Sequence, residues 1–198
     1  MNRGVILVVL LGLSLSVGLW PLARPYFPKT FGGIKNALPS LPSTTSSDEM
    51  SLASPDLQSA GILPTQFTCD GRGISPELTI AHVPAGATSL AVTMIDIDVP
   101  SLPGGKFYHW GLWGIDPKTT TIPTNSIPQS AIRGSTSAKS TTYAPPCPPS
   151  GEHRYVFTVY ALRGATPMAS GGTVQQFISS TTSQVISSAS IVTRYKRK

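Results

Sequence analysis

Three short runs of β-branched and aromatic residues constrain the fold of this chain more than any other feature. They are Ser89–Asp96, Tyr108–Ile115 and Arg154–Leu162, and residues of these types favour strands. Leu78–Val83 and Ser190–Tyr195 are weaker strand candidates. Proline and glycine are abundant, at 19 and 18 residues, which favours turns and strands over long helices. Strand runs separated by such turns predict a mainly β domain, built as an antiparallel two-sheet sandwich.

One short helix is predicted near the C-terminus. Within Val174–Ala189 the apolar residues recur at helical spacing, and Gly171 and Gly172 precede the segment. Five apolar side chains then lie near one helical face: Val174, Phe177, Ile178, Val185 and Ile186.

The N-terminal region predicts a membrane segment and a tether before a single folded domain. Met1–Trp20 contains Arg3 and then an apolar run long enough, as a helix, to cross most of a hydrocarbon core. Residues 1–23 are therefore interpreted as a transmembrane anchor or a signal peptide, and the anchor is preferred because only Ser16–Gly18 resembles a cleavage site. Residues 24–49 are rich in Pro, Ser and Thr and predict a disordered tether. Residues 50–198 form the predicted domain, which we expect to be extracytoplasmic, or secreted if the segment is cleaved.

Polar side chains lie where these strands begin and end. Asp96 closes the first strong run, His109 opens the second, and His153 and Tyr155 open the third. Alternate residues of a strand share a face, so His153 and Tyr155 point the same way. Imidazoles and a phenol can donate to phosphoryl oxygens, and a carboxylate can orient an imidazole. Taken singly, Asp96 could cap a turn and His153 could bond a loop carbonyl.

Three spaced motifs together resemble the phosphatidylethanolamine-binding protein family, in its bacterial and archaeal, raf kinase inhibitor-like branch. They are D-x-D-x-P at Asp96–Pro100, H-W at His109–Trp110 and P-P-x-G-x-H-R-Y at Pro148–Tyr155, within a resemblance that begins near Met50. The resemblance implies a large antiparallel sheet with a smaller one packed on it. It also implies a small cavity for phosphate-like anions or phospholipid head groups, lined by Asp96, His109, His153 and Tyr155, with Pro148 as a wall. Ile97 and Ile80 replace the family's usual Pro and Trp, which affects ligand detail more than fold.

Two further pairs of residues are assigned structural roles. Close carboxylates repel, so Asp98 is assigned to an ion pair with Arg154 while Asp96 serves the pocket. Cys69 and Cys147 lack the C-x-x-C spacing of a zinc or thioredoxin-type site, and they are either buried thiols or one disulfide. The resembled fold brings their loops to the same end of the sandwich, which implies a disulfide in an exported protein.

The preferred function is a non-enzymatic, regulatory binding domain that needs no cofactor. The Asp and His spacings are not those of a metal site, and no G-x-S-x-G elbow is present. An enzyme that uses His109 and His153 as acid and base is a less favoured alternative. His82 lies beside a turn and is not a site candidate.

The net charge and its distribution along the chain indicate the kind of partner. The net charge of +6 comes largely from basic residues near the two ends, which argues against nucleic-acid binding. The expected partners are a phosphorylated head group or other small anion, and a membrane through the N-terminal segment. The alternative is an inhibitor of a serine protease or kinase, as some members of the resembled family are, acting around the pocket and through loops such as Pro123–Tyr143.

Overall fold

The computed structural model describes residues 49–57, 61–164 and 168–198. The predicted membrane segment, residues 1–23, and nearly all of the tether lie outside the described residues. No helix among the described residues combines the length and the hydropathy of a membrane span. The described residues form one α-helix and eight strands.

In chain order, these elements are β1 Ser51–Ala53, β2 Leu78–Ala81, β3 Ser89–Asp96, β4 Phe107–Ile115, β5 Thr121–Ile122, β6 Ile132–Arg133, β7 Glu152–Leu162, α1 Val174–Thr181 and β8 Val185–Lys196.

The strands form two antiparallel sheets, as the sequence predicts. The larger sheet has the order β6-β4-β3-β7-β8, and the smaller sheet has the order β1-β2-β5. The three strong strand predictions correspond to β3, β4 and β7, and the two weaker ones to β2 and β8. The two-sheet sandwich with a short helix is therefore confirmed.

The main core lies between the two sheets. Leu78, Ile80 and Ile122 of the smaller sheet pack with Met94 and Phe157 of the larger one, and all five are buried. Burying such side chains stabilises the fold by about 1.5–3 kcal/mol each. The inner face of the large sheet is therefore fixed by apolar packing against the smaller sheet.

Helix α1 covers part of the opposite face of the large sheet. Phe177 of α1 stacks on Trp113 of β4, with ring centroids 4.8 Å apart, beside the buried Leu162. The helix begins with a capping box. The Thr173 hydroxyl accepts from the backbone N–H of Gln176, and the side-chain oxygen of Gln176 accepts from the backbone N–H of Thr173. Three layers result, with the helix on the outside.

The predicted helix is too long at its C-terminal end. It ends at Thr181, and Val185–Ala189, assigned to the helix by its apolar spacing, belongs to β8 instead. Hydroxyls in the last turn bond back to helix carbonyls, as Thr181 does to Phe177 at 2.7 Å, and such bonding slightly destabilises a helix. Val185–Ala189 then pairs with β7, and a ladder of long-range hydrogen bonds prevails over local apolar periodicity.

Residues 50–198 are expected to fold and stay soluble when expressed without the residues that precede them. The main core is built from residues after Glu49, so the missing segment removes none of its described contacts. Circular dichroism of this fragment should show a far-UV signal from its strands together with a near-UV signal from its packed aromatic side chains. Insolubility, or a far-UV signal without a near-UV one, would contradict the expectation.

Candidate functional site

A cavity of about 660 Å³ opens at the end of the large sheet where β3 ends and β7 begins. Its polar side chains include Asp96 of β3, His109 of β4 and His153 of β7. Much of the remaining wall is apolar, and it includes Val99, Pro100, Phe107, Ala144, Pro145 and Pro148. Prolines have a fixed φ, so they stiffen this wall. The structure therefore places three of the predicted ligand residues, and the predicted wall residue Pro148, around one cavity.

His109 reaches the cavity through a β-bulge. Between the pairs Met94–Trp110 and Ile95–Tyr108, strand β4 has one residue more than β3, and this extra residue is His109. Strict alternation would send His109 and Trp110 to opposite faces, whereas a bulge redirects side chains. Both are buried, and the His109 ring lies 5.4 Å from that of Tyr155 on the inner side.

Asp96 and His153 form a largely buried dyad. Nδ1 of His153 lies 2.7 Å from Oδ2 of Asp96, and the two side chains are only 12% and 4% exposed. The second carboxylate oxygen of Asp96 accepts from the backbone N–H of Asp98 at 2.9 Å. An ionised carboxylate can only accept, so Nδ1 of His153 donates to it. Asp96 thus fixes the orientation and the tautomer of His153.

His109 is held in a similar way by a backbone carbonyl. Its Nδ1 lies 2.7 Å from the carbonyl oxygen of Ala144, which can only accept, so Nδ1 is the donor. Burial lowers the pKa of His109 to about 4, although the bond to Ala144 and the nearby Asp96 oppose the shift. His109 is therefore neutral at physiological pH, and its Nε2 carries a lone pair.

Tyr155 occupies a different place from the one predicted. It lies opposite Asp96 in the sheet and is fully buried, behind the cavity wall instead of in it. Burial raises the pKa of its phenol, and the Asp96 carboxylate adds to the rise. The prediction used the correct strand face, but Tyr155 lies two residues deeper along β7 than His153, where the core covers it. Its ring lies 5.4 Å from that of His109, edge to face.

Asp98 and Arg154 form the ion pair assigned to them. Nε and the terminal nitrogen of Arg154 donate to the two carboxylate oxygens of Asp98, at 2.9 and 2.7 Å, and the Arg154 backbone N–H also donates to Asp98. The Arg154 hydrogen bond lowers the pKa of Asp98 to about 2. The pair is partly exposed, so its main role is to hold the Asp96–Pro100 loop beside β7.

Ile97 belongs to the Asp96–Pro100 loop and helps to hold it beside β7. Its backbone N–H donates to the carbonyl of Arg154 at 3.1 Å, a bond that the family's usual proline could not make. Ile80 is buried in the main core, away from the cavity. His82 is exposed, with φ of 54°, and does not line the cavity.

A disulfide between Cys69 and Cys147 anchors one wall of the cavity. The two Cα atoms lie 5.4 Å apart, and the Cys69 N–H donates to the carbonyl of Pro146. The Tyr143 hydroxyl donates to the carbonyl of Phe67 at 3.0 Å, in parallel with the disulfide. The proline-rich wall is thereby held on one side by this bridge and on the other by His109.

One structural cluster carries no signal in the sequence. Asp70 accepts from two nitrogens of Arg197 and from the Tyr195 hydroxyl, the latter at 2.6 Å, and these bonds lower the pKa of Asp70. Asp70 is separated from Tyr195 by 125 positions and from Arg197 by 127, so no local pattern joins it to them. The cluster ties the end of β8 to the loop that contains Cys69.

The chemistry of the cavity follows from its polar atoms. Each imidazole uses Nδ1 to bind the protein, which leaves Nε2 for a ligand. Nε2 of neutral His109 can accept from an ammonium or hydroxyl group, whereas Nε2 of His153 can donate once protonated. Among the described residues, no cluster of three or more metal-ligating side chains is found.

Comparison with known proteins connects this geometry to a family. The family model described as phosphatidylethanolamine-binding protein matches residues 53–196. A UPF0098 protein of Methanothermobacter thermautotrophicus is 32% identical over 153 residues, which cover 75% of this chain and 99% of that relative. The Mycobacterium tuberculosis protein LppC, provisionally named a lipoprotein, is 31% identical over 75% of this chain and 71% of its own length.

Solved structures agree with the sequence comparisons. A crystal structure from Chlamydia trachomatis, provisionally named a phosphatidylethanolamine-binding protein homologue, superposes with a TM-score of 0.72 at 30% identity. It covers 77% of this chain and 100% of that chain. Escherichia coli YbcL, described as a member of the mammalian family, gives a TM-score of 0.70 at 28% identity over 76% of this chain and 99% of its own.

Proposed function

Because this chain belongs to the phosphatidylethanolamine-binding protein family, we propose that it is a non-enzymatic binding domain for a phosphate-bearing small molecule or phospholipid head group. Its role would be regulatory, and its ligand would occupy the cavity at the end of the large sheet. The observation that carries the proposal is the convergence of Asp96, His109 and His153 on that cavity. Nucleophilic serine chemistry and metal chemistry have no comparable support.

The polar atoms favour a ligand with two different ends. His153, once protonated, is a donor for an anionic oxygen, and neutral His109 is an acceptor for an N–H or O–H group. A phosphoethanolamine head group offers both an anion and an ammonium. The apolar wall around Phe107 and Pro148 can cover the carbon atoms between them.

We also propose that the domain is exported and held at a membrane by its N-terminal segment. The apolar run in residues 1–23 and the lipoprotein name of the M. tuberculosis relative support this location. Fractionation of the native cells, with protease added to spheroplasts, tests the location. Protection of the domain in spheroplasts, with loss of protection after lysis, would contradict export.

Replacing His153 or His109 by alanine is expected to weaken head-group binding by about 1.5–3 kcal/mol, the range for a hydrogen bond to a charged group. Calorimetric titration of the full chain with sn-glycero-3-phosphoethanolamine measures the change. Inorganic phosphate is the second probe, because binding of both probes indicates recognition of phosphate alone. The unfolding midpoint of each variant shows whether the fold is intact.

His82→Asn is the matched control for these variants. His82 lies outside the cavity at a positive φ that asparagine tolerates, so affinity should not change. If both cavity variants bind the probe as well as the wild type, the head-group proposal fails. Stoichiometric inhibition of a serine protease or kinase by a domain that binds no probe would favour the inhibitory alternative.

A further inference from the structure

We propose that an anion binds in this cavity together with one proton, which Nε2 of His153 takes up from solvent. This inference rests on the proposed function and specifies how the same site is regulated. It makes occupancy of the cavity depend on pH, and it assigns that dependence to one of the two imidazoles.

The Asp96–His153 bond determines where a proton can be added. The carboxylate of Asp96 accepts at 2.7 Å, so the single hydrogen of a neutral His153 ring is on Nδ1. Nε2 then presents a lone pair to the cavity. An anionic oxygen also presents lone pairs, and two acceptors in contact repel each other. Adding a proton at Nε2 converts this contact into a charge-assisted hydrogen bond.

His109 cannot supply a charged donor. Its Nδ1 hydrogen is used by the carbonyl of Ala144 at 2.7 Å, so its Nε2 is also an acceptor. The ring is buried, and an imidazolium there would lose hydration without a carboxylate bonded to it. His153 differs because its Nδ1 already bonds Asp96, so a protonated His153 is a member of an ion pair.

The rest of the cavity provides no fixed positive charge. Of the described residues that line it, none is a lysine or an arginine. Arg154 lies nearby, but its guanidinium donates to both oxygens of Asp98. Without a bound proton on the dyad, an anion would meet the negative carboxylate of Asp96 and no compensating cation. With the proton, the dyad has no net charge and offers a donor.

The charged and titratable groups around His153 come from each neighbouring element. They are Asp96 of β3, Asp98 after β3, His109 of β4, Tyr155 and the Asp98-bound Arg154 of β7, and Tyr195, which lies opposite His153 on β8. Of these groups, Asp96 bonds the His153 ring directly, whereas neutral His109 and the two phenols carry no charge in this range. His153 is therefore the group expected to change its charge when the anion enters.

The test is calorimetric titration of the full chain with sn-glycero-3-phosphoethanolamine at several pH values. Neither the phosphodiester nor the amine of this probe changes its charge between about pH 5.5 and 8, so any proton taken up belongs to the protein. Repeating each titration in buffers of different ionisation enthalpy gives the number of protons. We expect uptake that approaches one proton and an affinity that falls by up to about tenfold per pH unit as the pH rises.

Two variants identify the imidazole. His153→Gln places an amide donor near the position of Nε2, but this amide cannot take up a proton. The variant therefore lacks the positive charge, and it should bind weakly and without proton uptake. His109→Gln removes the other ring and should retain uptake, even if affinity falls. The His82→Asn variant should match the wild type in both quantities.

The possible outcomes separate this inference from the proposed function. Binding with the same affinity at every pH and no proton uptake would overturn the inference and leave the proposed function in place. Uptake that persists in His153→Gln and disappears in His109→Gln would overturn the assignment to His153. Absence of binding at every pH would overturn both the inference and the proposed function.

Discussion

Replacing Cys69 and Cys147 together by serine is expected to lower the free energy of unfolding by about 4 kcal/mol. The bridge joins residues 78 positions apart, and a cross-link over so long a loop restricts the unfolded chain strongly. A loss of this size is a large fraction of the net stability of a typical domain. Urea unfolding of the full chain, wild type and double variant, measures the difference.

Reduction provides the matched control for this variant. Adding a thiol reductant should lower the stability of the wild type to that of the double variant, and it should leave the double variant unchanged. The cavity should also loosen, because Cys147 belongs to its wall. Peptide mapping of protein from its native compartment that finds two free thiols would contradict both the bridge and the export proposal.

Acid is expected to destabilise the domain through His109 by up to about 3 kcal/mol, because each unit of pKa shift corresponds to about 1.4 kcal/mol. Burial lowers the pKa of His109 to about 4 in the folded protein, below the ordinary histidine value. The unfolded chain therefore binds a proton more readily than the folded one. The stability associated with this residue is complete above pH 6.5, falls as the pH decreases, and reaches its minimum near pH 4.

The measurement is the difference in unfolding free energy between the wild type and His109→Gln at each pH. Glutamine does not titrate, so its direct effect on stability is independent of pH. The wild type should lose stability relative to this variant as the pH falls from 7 to 4. His82→Asn, which replaces an exposed histidine outside the cavity, is the control variant at each pH. A difference that stays constant with pH would mean that His109 titrates alike in the folded and unfolded chains.

Much of the fold could be predicted because its signals are local. Along β7, the residues from His153 to Ala161 alternate between a buried and a less buried face, and this period-two pattern identifies both the strand and its inner side. The motifs around Asp96 and Pro148 are local too, and they indicated a cavity through the family resemblance that they carry. These features depend on neighbouring residues, so the sequence contains them directly.

Other features could not be predicted because they depend on residues distant in sequence. The end of helix α1 is set by pairing of Val185–Ala189 with β7, and the Asp70 cluster joins residues more than a hundred positions apart. The bulge at His109 exists only relative to β3. No local pattern contains the register between two strands, since register is a property of the pair.

The sequence by itself determined which chemical groups this protein has and which strands hold them. Only the tertiary structure decided their states. Asp96 fixes the hydrogen of His153, burial keeps His109 neutral, and the core covers Tyr155, so three residues of one motif set have three different roles. The physical reason is that hydrogen-bond partners and loss of hydration determine the tautomer and charge of a side chain, and both arise from packing between strands that are far apart in the chain.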